Sequence, residues 1–189
     1  MNNTFFAMLF RMKYISRWGL MRCNFPENLS EHSLEVALLS HALAAIGNSV
    51  FGKSYDCPAI CVKALYHDAP EILTGDLPTP VKYHSADTKK AYDTVEEAAK
   101  QRFWQSLPEE LRGEFKDIFL YTEEERRIIK AADKLSALIK CKAELDSGNR
   151  EFEAATKSVG RALEEMKMPE VEYFTGHFLD TFSLPVDLI

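Results

Sequence analysis

The stretch Tyr66-His67-Asp68-Ala69-Pro70-Glu71-Ile72-Leu73-Thr74-Gly75-Asp76-Leu77-Pro78-Thr79-Pro80 organises the reading of this chain. An apolar, helix-compatible run from Ile60 to Tyr66 delivers an adjacent His-Asp pair, and a proline then breaks or restarts the helix. Two more carboxylates, Glu71 and Asp76, follow before a proline-rich loop. One neutral nitrogen donor beside one anionic oxygen donor suits a divalent metal of intermediate hardness. If a helix continues through Pro70, Glu71 shares a face with His67 and Asp68, at spacings of four and three residues. The plain alternative for this stretch is a polar helix end facing water.

Outward from it, the chain reads as helix after helix. Phe5, Met8, Leu9 and Met12 form a first apolar stripe, and Gly19 ends or bends the segment after it. Asn28 and Glu31 form a capping box before His32, Val36, Leu39, Leu43 and Ile46, with Gly47-Asn48 expected to stop that helix. Pro58 sits in the first turn of the helix leading to His67. Asp87 or Thr88 opens a charged helix through Phe103, and Leu107-Pro108-Glu109-Glu110 opens another carrying Phe115, Ile118 and Phe119. Thr122 to Glu125 is a second capping box, starting a helix that carries Asp133 and runs to Leu145. Further helices cover Phe152 to Met168, ended by Pro169, and Val171 to Phe182. No strand alternation or repeat is seen, so the expected fold is all-α and single-domain over residues 1–189. A metal-site core covers about 28–145, with C-terminal helices 150–182 packed on it.

Composition sets limits on partners. The 189 residues carry a formal charge of -6, which argues against a nucleic-acid polymer but not against a small phosphorylated ligand. Cys23, Cys57, Cys61 and Cys141 lack metal-type spacing and read as thiols of a reducing compartment. No apolar run is read as a membrane span and the start is not read as a signal peptide, so the expected location is cytoplasmic, away from membranes. Two further polar residues sit among apolar ones: His32 on the face of Val36 and Leu39, and Asp133 on the stripe of Ile129. Each alone reads as a hydrogen-bonded buried group or, for Asp133, as one facing water; a carboxylate facing a core is costly unless paired or bound to a cation.

Together, His32, His67-Asp68 and Asp133 follow the H…HD…D order of the HD phosphohydrolase superfamily, each expected on a helix. Asn28-Leu29-Ser30-Glu31-His32-Ser33, Tyr66 to Glu71 and Leu73 to Tyr83 resemble the bacterial YfbR-type 5′-deoxynucleotidases, as does Ile15-Ser16-Arg17-Trp18. Pro70 departs from the small residue expected there. The resemblance implies an HD-domain helical bundle binding one divalent ion (Co, Mn, Zn or similar) through His32, His67, Asp68 and Asp133. It implies removal of the 5′-phosphate from deoxyribonucleoside monophosphates; the alternatives are hydrolysis of a guanosine polyphosphate or deoxynucleoside triphosphate, or a nucleotide-binding regulator with a slow metal site. Glu71 is expected to orient or deprotonate water. Asp76 is expected to protonate the leaving oxygen or hold the sugar. Arg17 is expected to clamp phosphate, with Lys82 a weaker source of charge there. Trp18 walls the sugar, and Leu77, Pro78 and Thr79 line the pocket, with His32, Asp68 and Asp133 also touching substrate. A homodimer is implied by the resemblance alone. His41, His84 and His177 are read as surface or core histidines without a role.

Overall fold

The computed structural model describes residues 3–82 and 84–188, apart from the side chains of Thr79 and Pro80. The elements are α1 (Phe5–Leu9), α2 (Leu29–Phe51), α3 (Cys57–Tyr66), α4 (Glu71–Thr74), α5 (Thr79–Lys82), α6 (Ala86–Gln105), α7 (Glu123–Asp146), α8 (Glu153–Glu165) and α9 (Pro169–Phe178), with short 3-10 turns between some of them. Among the described residues there is no strand, only an isolated antiparallel bridge between Ser16 and Asn28. The all-α expectation holds. The chain gathers into two compact units. One takes residues up to Arg22, Pro26–Ser33 and Tyr66–Tyr121; the other takes Cys23–Phe25, Leu34–Leu65 and everything from Thr122.

The first unit is built on a small aromatic core. Phe5, Met12, Leu29, Ala69, Phe103, Leu107 and Ile118 are buried together, flanked by Tyr66, Ile72, Phe115 and Phe119. Phe5 meets Phe103 and Phe115 edge-on, with centroids 5.7 and 5.2 Å apart, the geometry that ring quadrupoles favour. This core positions the site. Leu29 anchors the start of α2 three residues before His32, and Ala69 anchors the turn that carries His67 and Asp68.

The second unit centres on α7, whose buried stripe includes Ile128, Ile129, Ala132, Leu135, Leu138 and Cys141, and which packs on α8. Its capping box forms as expected: the Thr122 hydroxyl accepts from the Glu125 amide, and Glu125 accepts from the Thr122 amide. The box at the start of α2 forms too, with Asn28 Oδ1 accepting from the Ser30 and Glu31 amides and Glu31 accepting from the Asn28 amide. A cap of this kind contributes about 1 kcal/mol.

Several boundaries differ from the sequence reading, each for a local reason. Gly47-Asn48 does not stop α2, which runs on to Phe51 before Gly52 at φ 65. Gly47 is instead a packing residue, since a Cβ there would lie 2.4 Å from the Tyr55 ring. The first helix gives way at Leu9 to a 3-10 turn, Phe10–Tyr14, well before Gly19. The helix expected around Phe115 to Phe119 reduces to a 3-10 turn, Glu109–Leu111, followed by turns; its apolar residues reach the core without a helix. Ser85, not Asp87 or Thr88, caps α6, its side chain accepting from the Thr88 amide. Pro169 opens α9 as its first residue, and α8 has already ended at Glu165. By length and composition α2 is apolar enough to cross a bilayer, contrary to the reading that no run is. Part of it lies in the core, with Val36, Leu43 and Ala44 fully buried, while Leu34, Leu38, Val50 and Phe51 are exposed.

Candidate metal and phosphate site

His32 lies one turn into α2 and is fully buried. His67 and Asp68 do not lie on a helix: α3 ends at Tyr66 and they occupy the turn before α4. That turn is tight, with the Ala69 amide donating to the Tyr66 carbonyl at 3.0 Å and the Glu71 amide donating to the Asp68 carbonyl at 2.9 Å. Pro70, which has no amide to donate, is accommodated at φ -57 directly before α4. So the helix does not continue through Pro70, yet the turn still brings Glu71 beside the pair. Asp68 Oδ2 stands 3.1 Å from His67 Nε2 and 3.5 Å from His32 Nε2, and one ligand atom from each of the three residues lies within 4.8 Å of the others. Burial pushes the Asp68 carboxyl up, but the His67 and His32 imidazoles outweigh it and hold the group well below the ordinary carboxylate range. Asp133, the fourth expected ligand, is half-buried on α7.

Glu71 opens α4, and its Oε2 is buried with no hydrogen-bond partner among the described residues. Burial, then the anions of Asp68 and Asp76, push its pKa up to about 9, with Lys82 and Arg17 opposing. Gly75, at φ 73, ends α4 in a conformation that favours glycine and turns the chain into Asp76. Burial also raises the Asp76 carboxyl, against the pull of Arg17. Leu77 and Pro78 follow, half-buried; the Thr79 side chain and Tyr83 lie outside the described residues. Lys82 sits 4.3 Å over the Tyr92 ring and 4.0 Å from Glu96.

Arg17 and Trp18 lie in the loop before α2. The Arg17 amide donates to the Glu27 carbonyl at 3.0 Å, and Trp18 takes φ 60, unusual for a large residue. Arg17 Nη1 donates to Glu27 Oε1 at 2.9 Å, and the Trp18 indole N–H donates to Glu27 Oε2 at 2.6 Å. The same Glu27 Oε1 faces His32 Nδ1 at 3.6 Å. Burial raises the Glu27 carboxyl, but His32, Arg17 and Trp18 together bring it below its ordinary value. The sequence reading missed Glu27. It sits in a loop, on no periodic face, and only its neighbours in space mark it. Tyr92, on α6, is buried with its hydroxyl 3.5 Å from that of Thr74; burial raises it to about 12, and the Glu71 anion adds to this. His41, His84 and His177 are exposed, as the bland reading had it.

The donor set fits a divalent cation. Two imidazoles and a carboxylate converge, with no thiolate, as suits a divalent ion of intermediate hardness. Burial is the main cause of the rise at Glu71, and a cation beside Asp68 would offset the share that the Asp68 anion adds to it.

The family described as 5′-deoxynucleotidase YfbR-like matches residues 4–182. A 5′-deoxynucleotidase of Vibrio vulnificus (strain YJ016) is 47% identical over 188 residues, covering 98% of this chain and 97% of that protein. One from Yersinia pestis (strain Pestoides F) is 45% identical, covering 98% and 95%. Among solved structures, an HD-domain phosphohydrolase from Listeria innocua superposes with a TM-score of 0.82 at 24% identity, covering 95% of this chain and 88% of that one. A cyanophage S-2L HD phosphohydrolase, bound to dA and one catalytic Zn2+ ion, superposes with a TM-score of 0.70 at 22% identity, covering 93% and 96%.

Proposed function

The chain belongs to the YfbR-like 5′-deoxynucleotidase family, and from that premise we propose how its residues divide the work of removing the 5′-phosphate from deoxyribonucleoside 5′-monophosphates. The enzyme is a phosphoric monoester hydrolase, giving deoxyribonucleoside and phosphate. His32, His67, Asp68 and Asp133 hold one divalent ion, of the Co, Mn or Zn kind. The first three converge, and Asp133 joins them on its place in the H…HD…D order. The ion, when bound, lowers the pKa of a water and offsets phosphate charge. The observation that carries the reading is Glu71: a buried carboxylate oxygen without a partner, beside three converging ligands.

Glu71 Oε2 takes the proton from the attacking water, whose oxygen bonds to phosphorus. Asp76, whose burial favours the protonated form, gives its proton to the departing 5′-oxygen. Solvent then returns both carboxyls to their starting states. Arg17 clamps the phosphate, because a guanidinium matches paired oxygens. Trp18, with Leu77, Pro78 and Thr79, walls the sugar, so that a 2′-hydroxyl would be buried without a partner; His32, Asp68 and Asp133 flank the phosphate. The dA bound to the cyanophage enzyme supports a deoxynucleoside-sized pocket, and its single Zn2+ supports one ion. The same reading takes residues 1–189 as one HD domain, working in the cytoplasm as a homodimer without a nucleic-acid or membrane partner.

The test is phosphate release from dAMP, AMP, a guanosine polyphosphate and dATP with added Mn or Co. An unsatisfied buried hydroxyl costs about 1–3 kcal/mol, so dAMP should exceed AMP in kcat/KM by roughly tenfold to a hundredfold. Trp18→Ala should bring the ratio toward unity, and Arg17→Ala should depress both substrates together. Metal analysis of Asp133→Ala should show the ion lost; equal occupancy in wild type and variant removes Asp133 from the ligand set.

A further inference from the structure

Glu27 lies in a loop and carries neither a metal-type motif nor a substrate-type one, yet its carboxylate meets three residues of the proposed site. Oε1 accepts from Arg17 Nη1 at 2.9 Å and faces His32 Nδ1 at 3.6 Å; Oε2 accepts from the Trp18 indole at 2.6 Å. We infer that Glu27 is a positioning residue that sets the phosphate clamp, the sugar wall and the His32 ligand together, so that anion binding, sugar choice and metal affinity depend on one carboxylate. This rests on the roles proposed above for Arg17, Trp18 and His32.

Three observations separate this from an ordinary buried ion pair. First, an ion pair with Arg17 needs one oxygen, whereas both are used, and the contact to the neutral indole is the shorter. Second, Trp18 is held at φ 60, which a large side chain adopts only when its surroundings impose it. The surroundings that do so include Glu27 itself: its carbonyl accepts from the Arg17 amide at 3.0 Å, its carboxylate fixes the indole, and the Met21 amide closes the turn onto the Trp18 carbonyl at 2.8 Å. Third, a carboxylate facing Nδ1 favours the tautomer with its proton on that nitrogen. The lone pair of Nε2 is then directed to the side where Asp68 Oδ2 stands 3.5 Å away.

A carboxylate is required because both donors need an acceptor. An amide offers one oxygen and turns an N–H₂ group toward the other donor. In Glu27→Gln, Mn2+ should therefore bind about tenfold to a hundredfold more weakly, the range for losing an outer partner of a metal-ligating histidine. Inhibition by inorganic phosphate should weaken severalfold, and the dAMP to AMP ratio should fall toward unity.

The experiment measures the Mn2+ dissociation constant by titration and the inorganic phosphate inhibition constant on the Mn-loaded enzyme, with Tm alongside. Mn2+ and phosphate constants both within twofold of wild type overturn the inference, whatever the Tm; movement of only one overturns the joint role. A wild type without deoxy preference would sink the sugar assignment above, while the Mn2+ and phosphate readouts still decide this one. Should Glu27→Gln fail to fold, Trp18→Phe removes the indole donor while keeping an aromatic ring, though a smaller one. Phosphate inhibition should then weaken severalfold with Mn2+ binding kept, and unchanged phosphate inhibition overturns the inference.

Discussion

Two buried glutamates, Glu144 and Glu71, show opposite uses of the same side chain. Glu144, on α7, is fully buried and fully served. It accepts from Lys140, from the Asn24 and Phe25 amides at 2.9 and 3.0 Å, and from Asn149 at 2.8 Å. Burial alone would raise its pKa, but these donors bring it down to about 2. Glu71 is buried with one oxygen lacking a partner and with Asp68 and Asp76 as anionic neighbours, and its pKa rises to about 9. A buried carboxylate that has all its donors holds a loop in place; one denied them is poised to take or give a proton. The difference lies in the donors each site supplies, since the side chains are identical.

The sharpest way to break this contrast is to neutralise each in turn. Glu71→Gln keeps the shape and removes the basicity, so kcat should fall by roughly a hundredfold or more while metal stays bound. Its Tm should be unchanged or higher, because a destabilised carboxyl is gone. Near-normal turnover would make Glu71 as structural as Glu144. Glu144→Ala should do the reverse, lowering stability by about 3 kcal/mol in urea titrations because Lys140 and two amides lose their acceptor. Turnover per folded molecule should stay within about twofold, since Glu144 takes no part in the chemistry proposed. Replacing both members, Lys140→Met with Glu144→Met, should recover part of that stability, since no buried charge is left, while the Asn24 and Phe25 amides still lack their acceptor. If the double variant is no better than Glu144→Ala, the charge pair is not what the single variant damages.

A smaller effect sharpens the comparison on the pH axis of the metal-free protein. Glu144 has a folded pKa below its ordinary 4.5, so its stabilisation is present above pH 4.5 and is lost as pH falls toward about 2. Glu71 has a folded pKa above its ordinary 4.5, so its contribution is present below pH 4.5 and is lost as pH rises through about 9. With chelator present, Tm of wild type should therefore decline between about pH 4.5 and about pH 9 more steeply than that of Glu71→Gln, and the two should run parallel above that. The acid-side decline should be shared by both proteins and reduced in the Lys140→Met, Glu144→Met variant. Parallel curves for wild type and Glu71→Gln between pH 4.5 and about 9 would remove the claim that Glu71 is held protonated.

What could be read early and what could not follows the range of the forces involved. The boxes at Asn28 and Thr122 form as expected because a cap is made by residues three apart. The convergence of His32, His67 and Asp68 was readable as well, since motif residues carry their chemistry with them. Gly47 misled because its place in the helix is decided by the ring of Tyr55, and residues 115–119 misled because their apolar side chains find the core from turns. The helix that would align Glu71 with the pair stops before Pro70, and the turn of i to i+3 bonds restores the proximity by another route.

The all-α character and the candidate group His32, His67 and Asp68 were legible in the sequence alone, because periodicity, caps and motif chemistry act over a few residues. Only the tertiary structure decided which carboxylates are satisfied. It set Glu27 against Arg17, Trp18 and His32, gave Glu144 its four donors, and left Glu71 Oε2 with none among the described residues. Proton affinity in a folded protein depends on burial and on charges brought close from distant parts of the chain, and no local pattern encodes that.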